Sequence, residues 1–83
     1  MTVSELIGKL KEFDGSRLVV MSRDSEGNSH SPLADFSTGS YLAESSYSGE
    51  VGIEVLTEAL RESGFAEEDI VDGVPALILW PTN

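Results

Sequence analysis

The sequence predicts a small α+β domain: an N-terminal helix packed on a short sheet with central strands 17–23 and 74–80, and a second, acidic helix at about 53–63. Three observations carry this reading. Val3, Leu6, Ile7, Leu10 and Phe13 recur every three or four residues, the period of a helix with one apolar stripe. Leu18–Met21 and Ala76–Leu79 are unbroken apolar runs, as expected of short strands covered on both faces. The length, 83 residues, fits one domain spanning 1–83.

The elements follow in order. Residues 2–14 read as the first helix, with Thr2 as cap and Glu5 three residues on completing a capping-box pattern. Glu5 and Lys9 stand four apart with the acid first, the favourable order. Asp14-Gly15 closes the helix, the glycine supplying a left-handed residue. Arg17 to Arg23 is the first strand, and Asp24 to Asn28 is dense in turn formers. Residues 22–50 hold nine serines and form a polar middle. Within it Pro32 to Phe36 suits one helical turn capped by Ser31, Tyr41 to Ala43 suits a strand, and Ser45 to Gly49 an exposed loop. Val51 to Val55 alternates like a strand, whereas Val55, Leu56, Ala59 and Leu60 repeat like a helix that stops at Gly64. The helix is preferred, from about Ile53 to Ser63. Asp72-Gly73 marks a turn, and Val74 to Trp80 a strand with Pro75 restricted to an unpaired start.

Charge narrows the function. There are 15 Asp and Glu against 5 Lys and Arg, a formal net charge of −10. Residues 1–40 carry six acids and four bases, a net of −2; residues 41–83 carry nine acids and only Arg61, a net of −8. Phosphate binding needs clustered cations, so direct nucleic-acid binding is not expected, and an anionic membrane surface would repel the chain. There is no cysteine, which excludes disulfides, zinc-thiolate sites and thiol catalysis. No apolar run reaches the length of a membrane span, and the first residues lack the basic start of a signal peptide, so a cytoplasmic protein is expected.

Each chemical constellation meets a plainer reading. His30 is the single histidine, flanked by Ser29 and Ser31 with Asp24 and Asp35 nearby. Nucleophilic catalysis needs a base oriented by a carboxylate and held against the serine, which neighbours along a loop rarely achieve. Asp24, Glu26, Asn28 and Asp35 echo a calcium loop, but its glycine position is filled by Ser29. Glu67, Glu68 and Asp69 read as a solvated helix start. No phosphate-binding loop, dinucleotide fingerprint or zinc-protease motif occurs, so no catalytic residue, cofactor or metal is expected. Trp80 and Tyr41 suit core positions, whereas Tyr47 stands in a Ser/Gly loop of the kind that binds partners. On a helix, Glu54, Glu58 and Glu62 would form a ridge repeating about every 6 Å. That spacing approaches the phosphate spacing of a nucleic-acid strand. The acids either attract a basic protein, nucleic-acid mimicry being one form of this, or only confer solubility.

The stretches Thr2 to Asp14, Val19-Val20, Glu26-Gly27, Ser31 to Asp35 and Asp72 to Pro81 resemble small accessory proteins of tailed bacteriophages, a group without an assigned activity. The resemblance covers about half of the chain in patches, and residues 44–70 match least. It implies the cytoplasm of an infected bacterium and a protein that binds and blocks host enzymes or defence machinery.

The resulting expectation is a non-enzymatic protein that binds a basic host or defence protein. The contact residues would be Glu50, Glu54, Glu58, Glu62, Glu67, Glu68, Asp69 and Tyr47. The alternative is a structural or assembly protein forming a homo-oligomer through sheet edges or aromatic contacts.

Overall fold

The structure, a computed structural model, describes residues 1–82. In chain order it contains α1 (Val3–Leu10), β1 (Val20–Ser22), β2 (His30–Ala43), β3 (Gly49–Gly52), α2 (Glu58–Glu62), a 3₁₀ turn (Glu67–Asp69) and β4 (Val74–Pro81). The α+β class therefore holds. One long strand, β2, is the pairing partner of all three others. Backbone contacts divide the chain into two compact units. One is Met1–Asp35 with the residues from Leu79 onward; the other is Phe36–Ile78.

The first unit begins with α1. The Thr2 hydroxyl accepts from the Glu5 amide at 3.2 Å, as the capping pattern requires. The helix stops at Leu10, four residues before Asp14, and Gly15 does not adopt positive φ. Asp14 instead opens a turn of its own, accepting from the Ser16 amide at 2.9 Å and its hydroxyl at 2.8 Å. Those two bonds hold the Asp14 carboxyl below the usual range. β1 is shorter than 17–23 and pairs antiparallel with the start of β2, Val20 opposite Pro32 and Ser22 opposite His30. The two apolar strands are thus not neighbours: β2 stands between β1 and β4 as the partner of each.

Residues 32–36 form strand, not a helical turn. The Leu33 amide donates to Val19 and the Pro32 carbonyl accepts from Thr82, both at 3.1 Å. Pairing on either side thus overrides the local preference. Pro32 forfeits only one donor near the strand's start.

The second unit holds the rest of β2. Ser40 to Ala43 pair antiparallel with Gly52 to Gly49. The chain then makes a parallel bridge, Ile53 to Ile70, in which Ile53 donates to Asp69 at 3.0 Å and accepts from Val71 at 3.1 Å. This bridge is why the second helix is 58–62 rather than 53–63. It takes both backbone groups of Ile53, and the β-branched Val51, Ile53 and Val55 suit extended backbone. The helix starts where Thr57 caps it, accepting from the Leu60 amide at 3.2 Å. It ends as expected at Gly64, whose φ is 103°. There Phe65 donates to Leu60 and Gly64 to Arg61, the two bonds of a Schellman ending.

Burial is sparse in both units. Among the described residues no hydrophobic side chain is buried, and Ser40, 3% exposed, is the buried polar residue. Its hydroxyl accepts from the Gly73 amide at 3.0 Å. A Cβ on Gly73 would collide with the Tyr41 carbonyl, so the Asp72-Gly73 turn can lie against the β2 backbone only because residue 73 has no side chain. No helix among the described residues is long and apolar enough to cross a membrane.

Candidate functional site: the acidic unit

All eight residues expected to contact a partner fall in the second unit. That unit contains nine acids and Arg61, a net of −8, whereas the first contains six acids and four bases, a net of −2. The charge step visible along the sequence is therefore a step between two folded units.

Tyr47 sits at the tip of the β2–β3 hairpin and is 90% exposed. The turn beneath it is built by Ser45. Its Oγ accepts from the Tyr47 amide at 3.2 Å and the Ser48 amide at 3.0 Å, and lies 2.9 Å from the Ser48 hydroxyl. The Glu44 amide donates to the Ser48 carbonyl at 2.9 Å. The loop is short and internally bonded, so Tyr47 is presented on a fixed support. Gly49 closes it: a Cβ there would lie 2.7 Å from the Tyr41 ring.

The acids do not form one helical ridge. Glu50 is exposed on β3, opposite Leu42. Glu54 lies in the bend after the Ile53 bridge, outside any helix. Only Glu58 and Glu62 stand four apart on α2, at its first and last residues. Glu58 at the first position also complements the helix dipole. Glu67, Glu68 and Asp69 make the 3₁₀ turn, all exposed. The Asp69 carboxylate accepts from the Ala66 amide at 2.8 Å and so closes its own turn.

The Ile53–Ile70 bridge draws the two acidic stretches together. Glu54 and Asp72 line one cleft of ≈ 270 Å³ beside Ser40 and Gly73. Glu54 also lines a second cleft of ≈ 270 Å³, with Thr38, Thr57 and Leu60. Asp72 was not among the expected contact residues. Its place beside Glu54 depends on a parallel bridge between residues 17 positions apart, for which the local sequence carries no signal.

The other constellations lie in the first unit. His30 lines a groove of ≈ 350 Å³ with Met21, Ser22, Arg23, Ser29, Ser31 and Pro81; no carboxylate is in that lining. His30 and Ser31 are adjacent strand residues and point to opposite faces. In the 24–28 turn, Asp24 accepts from the Glu26 amide at 3.0 Å and the Asn28 amide at 3.2 Å, and from the Asn28 side chain at 2.8 Å. These bonds, the Asn28 side chain's first, hold the Asp24 carboxyl below its usual range. The oxygens that a calcium loop would turn inward are occupied in closing a turn. Among the described residues no group of three or more His, Cys, Asp or Glu is arranged to hold a metal ion.

No family model, curated protein sequence or solved structure matches the chain.

Proposed function

We propose that this chain is a non-enzymatic accessory protein of a tailed bacteriophage that binds a basic host or defence protein, inhibiting or modulating it in the bacterial cytoplasm. The observation that carries the reading is the confinement of the −8 excess to Phe36–Ile78. A single-signed surface steers an oppositely charged partner at long range and disfavours like-charged competitors. The exposed Tyr47, on an internally bonded loop, adds an aromatic anchor to the same unit. The bacteriophage assignment draws on the resemblance of residues 2–14 and 72–81. Nucleic-acid mimicry through a regular Glu54–Glu58–Glu62 ridge loses its support, because Glu54 is not helical. The acids act as a patch rather than as a ladder of phosphates.

The test is capture of proteins from a bacterial lysate on the immobilised chain across a salt series. A basic protein retained at low salt and released progressively as salt rises is the expected result. Retention that does not weaken with salt contradicts the reading.

A further inference from the structure

One sheet edge of the second unit carries backbone groups that no other part of the described chain meets. In the β2–β3 ladder Ser40 stands opposite Gly52, Tyr41 opposite Val51, Leu42 opposite Glu50 and Ala43 opposite Gly49. The Glu44 amide donates to the Ser48 carbonyl at 2.9 Å, so the next bonded pairs are Leu42–Glu50 and Ser40–Gly52. Gly49, Val51 and Ile53 therefore turn their amides and carbonyls outward, away from β2. Ile53 shows this alternation directly: its amide donates to Asp69 at 3.0 Å and its carbonyl accepts from Val71 at 3.1 Å. At Val51 and Gly49 the same outward groups have no hydrogen-bond partner among the described residues. Val51 is 48% exposed, and Gly49 and Glu50 are exposed as well. The segment 69–71 thus covers this edge at Ile53 and leaves it open at Val51 and Gly49.

We infer that the open edge at Gly49–Val51 is the docking site for an extended segment of the basic partner, which adds to the sheet beside β3. The inference rests on the function proposed above and names the form in which the partner is met. Outward amides and carbonyls on alternate residues are matched by another extended backbone, which donates and accepts at the same spacing. Charge selects whose backbone it is. A second copy pairing antiparallel, Val51 against Gly49 and Gly49 against Val51, would set Glu50 across from Glu50, and like charges in that position repel. Glu50 thereby guards the edge against self-association, as charges on edge strands do. The same carboxylate attracts a cationic side chain. The acidic 3₁₀ turn Glu67–Asp69 meets the edge where the open stretch ends, through the bond from Ile53 to Asp69. Faces set the pattern of the segment. Val51 and Gly49 share one face of β3, and Glu50 takes the other. The segment that fits alternates basic and apolar residues, a basic one across from Glu50 and an apolar one across from Val51.

The experiment is NMR of the full chain at low salt with two synthetic peptides of equal length and charge, one alternating Lys with Val and the other Lys with Pro. Proline removes the amides that edge pairing needs and leaves the charge. The Lys/Val peptide is expected to slow amide exchange at Val51 and Gly49, and the Lys/Pro peptide is not. The Glu50 and Gly52 amides, which face β2, are expected to stay unchanged under both. Unprotected Val51 and Gly49 amides with the Lys/Val peptide, or equal protection by the Lys/Pro peptide, overturn the proposal. Val51→Pro removes an outward amide and leaves the bonds of the β2–β3 ladder in place. It is expected to bind the Lys/Val peptide about tenfold more weakly. Unchanged affinity in this variant overturns the proposal, and if the variant fails to fold the two peptides on the wild type still decide. The two readings fail separately. Salt-sensitive capture of a basic protein, with no protection of Val51 by the Lys/Val peptide, removes this inference and leaves the proposed function. Protection of Val51 without salt-sensitive capture removes the proposed function and leaves a strand-binding edge.

Discussion

The two units share a thin interior and differ in what they expose. Met1–Asp35 with the residues from Leu79 onward carries −2 and exposes a neutral apolar groove at the end of α1. Phe36–Ile78 carries −8 and is held by the bond from the Gly73 amide to the Ser40 hydroxyl, the Ile53–Ile70 bridge and two glycines pressed against Tyr41. The contrast teaches that net charge, taken over the whole chain, misdescribes this protein. The excess acids belong to one unit, while exposed apolar side chains occur in both, from Leu18 in the first to Val55 in the second.

Substitutions can break this comparison, beginning with the largest effect. Gly73→Val places a branched side chain against the Tyr41 carbonyl and backbone of β2. The loss is expected at about 3 kcal/mol, the upper end for overpacking, read as a shift of the urea midpoint. Ser40→Ala removes the shorter of the Gly73 amide's two acceptors, leaving the Val71 carbonyl at 3.2 Å, and is expected to cost about 1 kcal/mol in the same measurement. Thr57→Ala removes the α2 cap and is expected to cost about 1 kcal/mol, with faster amide exchange at Leu60. All three act on the second unit. Equal protection changes around α1 would show that the two units do not open separately.

The smallest effect concerns the first unit and pH. Asp14 and Asp24 both have carboxyls held low by hydrogen bonds within their turns. A lowered folded value stabilises above the unfolded carboxylate value of about 3.9 and is lost as pH falls through the folded value. Amide exchange at Ser16, Glu26 and Asn28 is therefore expected to quicken, relative to its intrinsic rate, only below about pH 4. Asp24→Asn is expected to remove that dependence at residues 26 and 28 while leaving Ser16 unchanged.

What was legible in the sequence was local. Thr2, the Asp24–Asn28 turn, Gly64 and the 74–80 strand were readable because each rests on the chemistry of a few adjacent residues. The length of β2 was not, because Pro32 and the serines argue against a strand until β1 and β4 pair along it. The break in the second helix was hidden for the same reason: Ile53 is extended because Ile70 meets it. The candidate site followed this pattern. The identity of the acids and the exposure of Tyr47 could be read, whereas the meeting of Glu54 with Asp72 could not.

The central claim is that charge acts by its place in the second unit rather than by its sum. Glu54→Lys/Glu68→Lys and Glu12→Lys/Glu26→Lys each change the net charge by +4, from −10 to −6, the first pair in the acidic unit and the second outside it. The decisive measurement is retention of the captured basic protein by both variants at low salt. Retention lost in the first pair and kept in the second is the predicted result. Equal loss would mean that the sum of the charge governs capture, and equal retention that the acids serve only the solubility of the chain; either contradicts the claim.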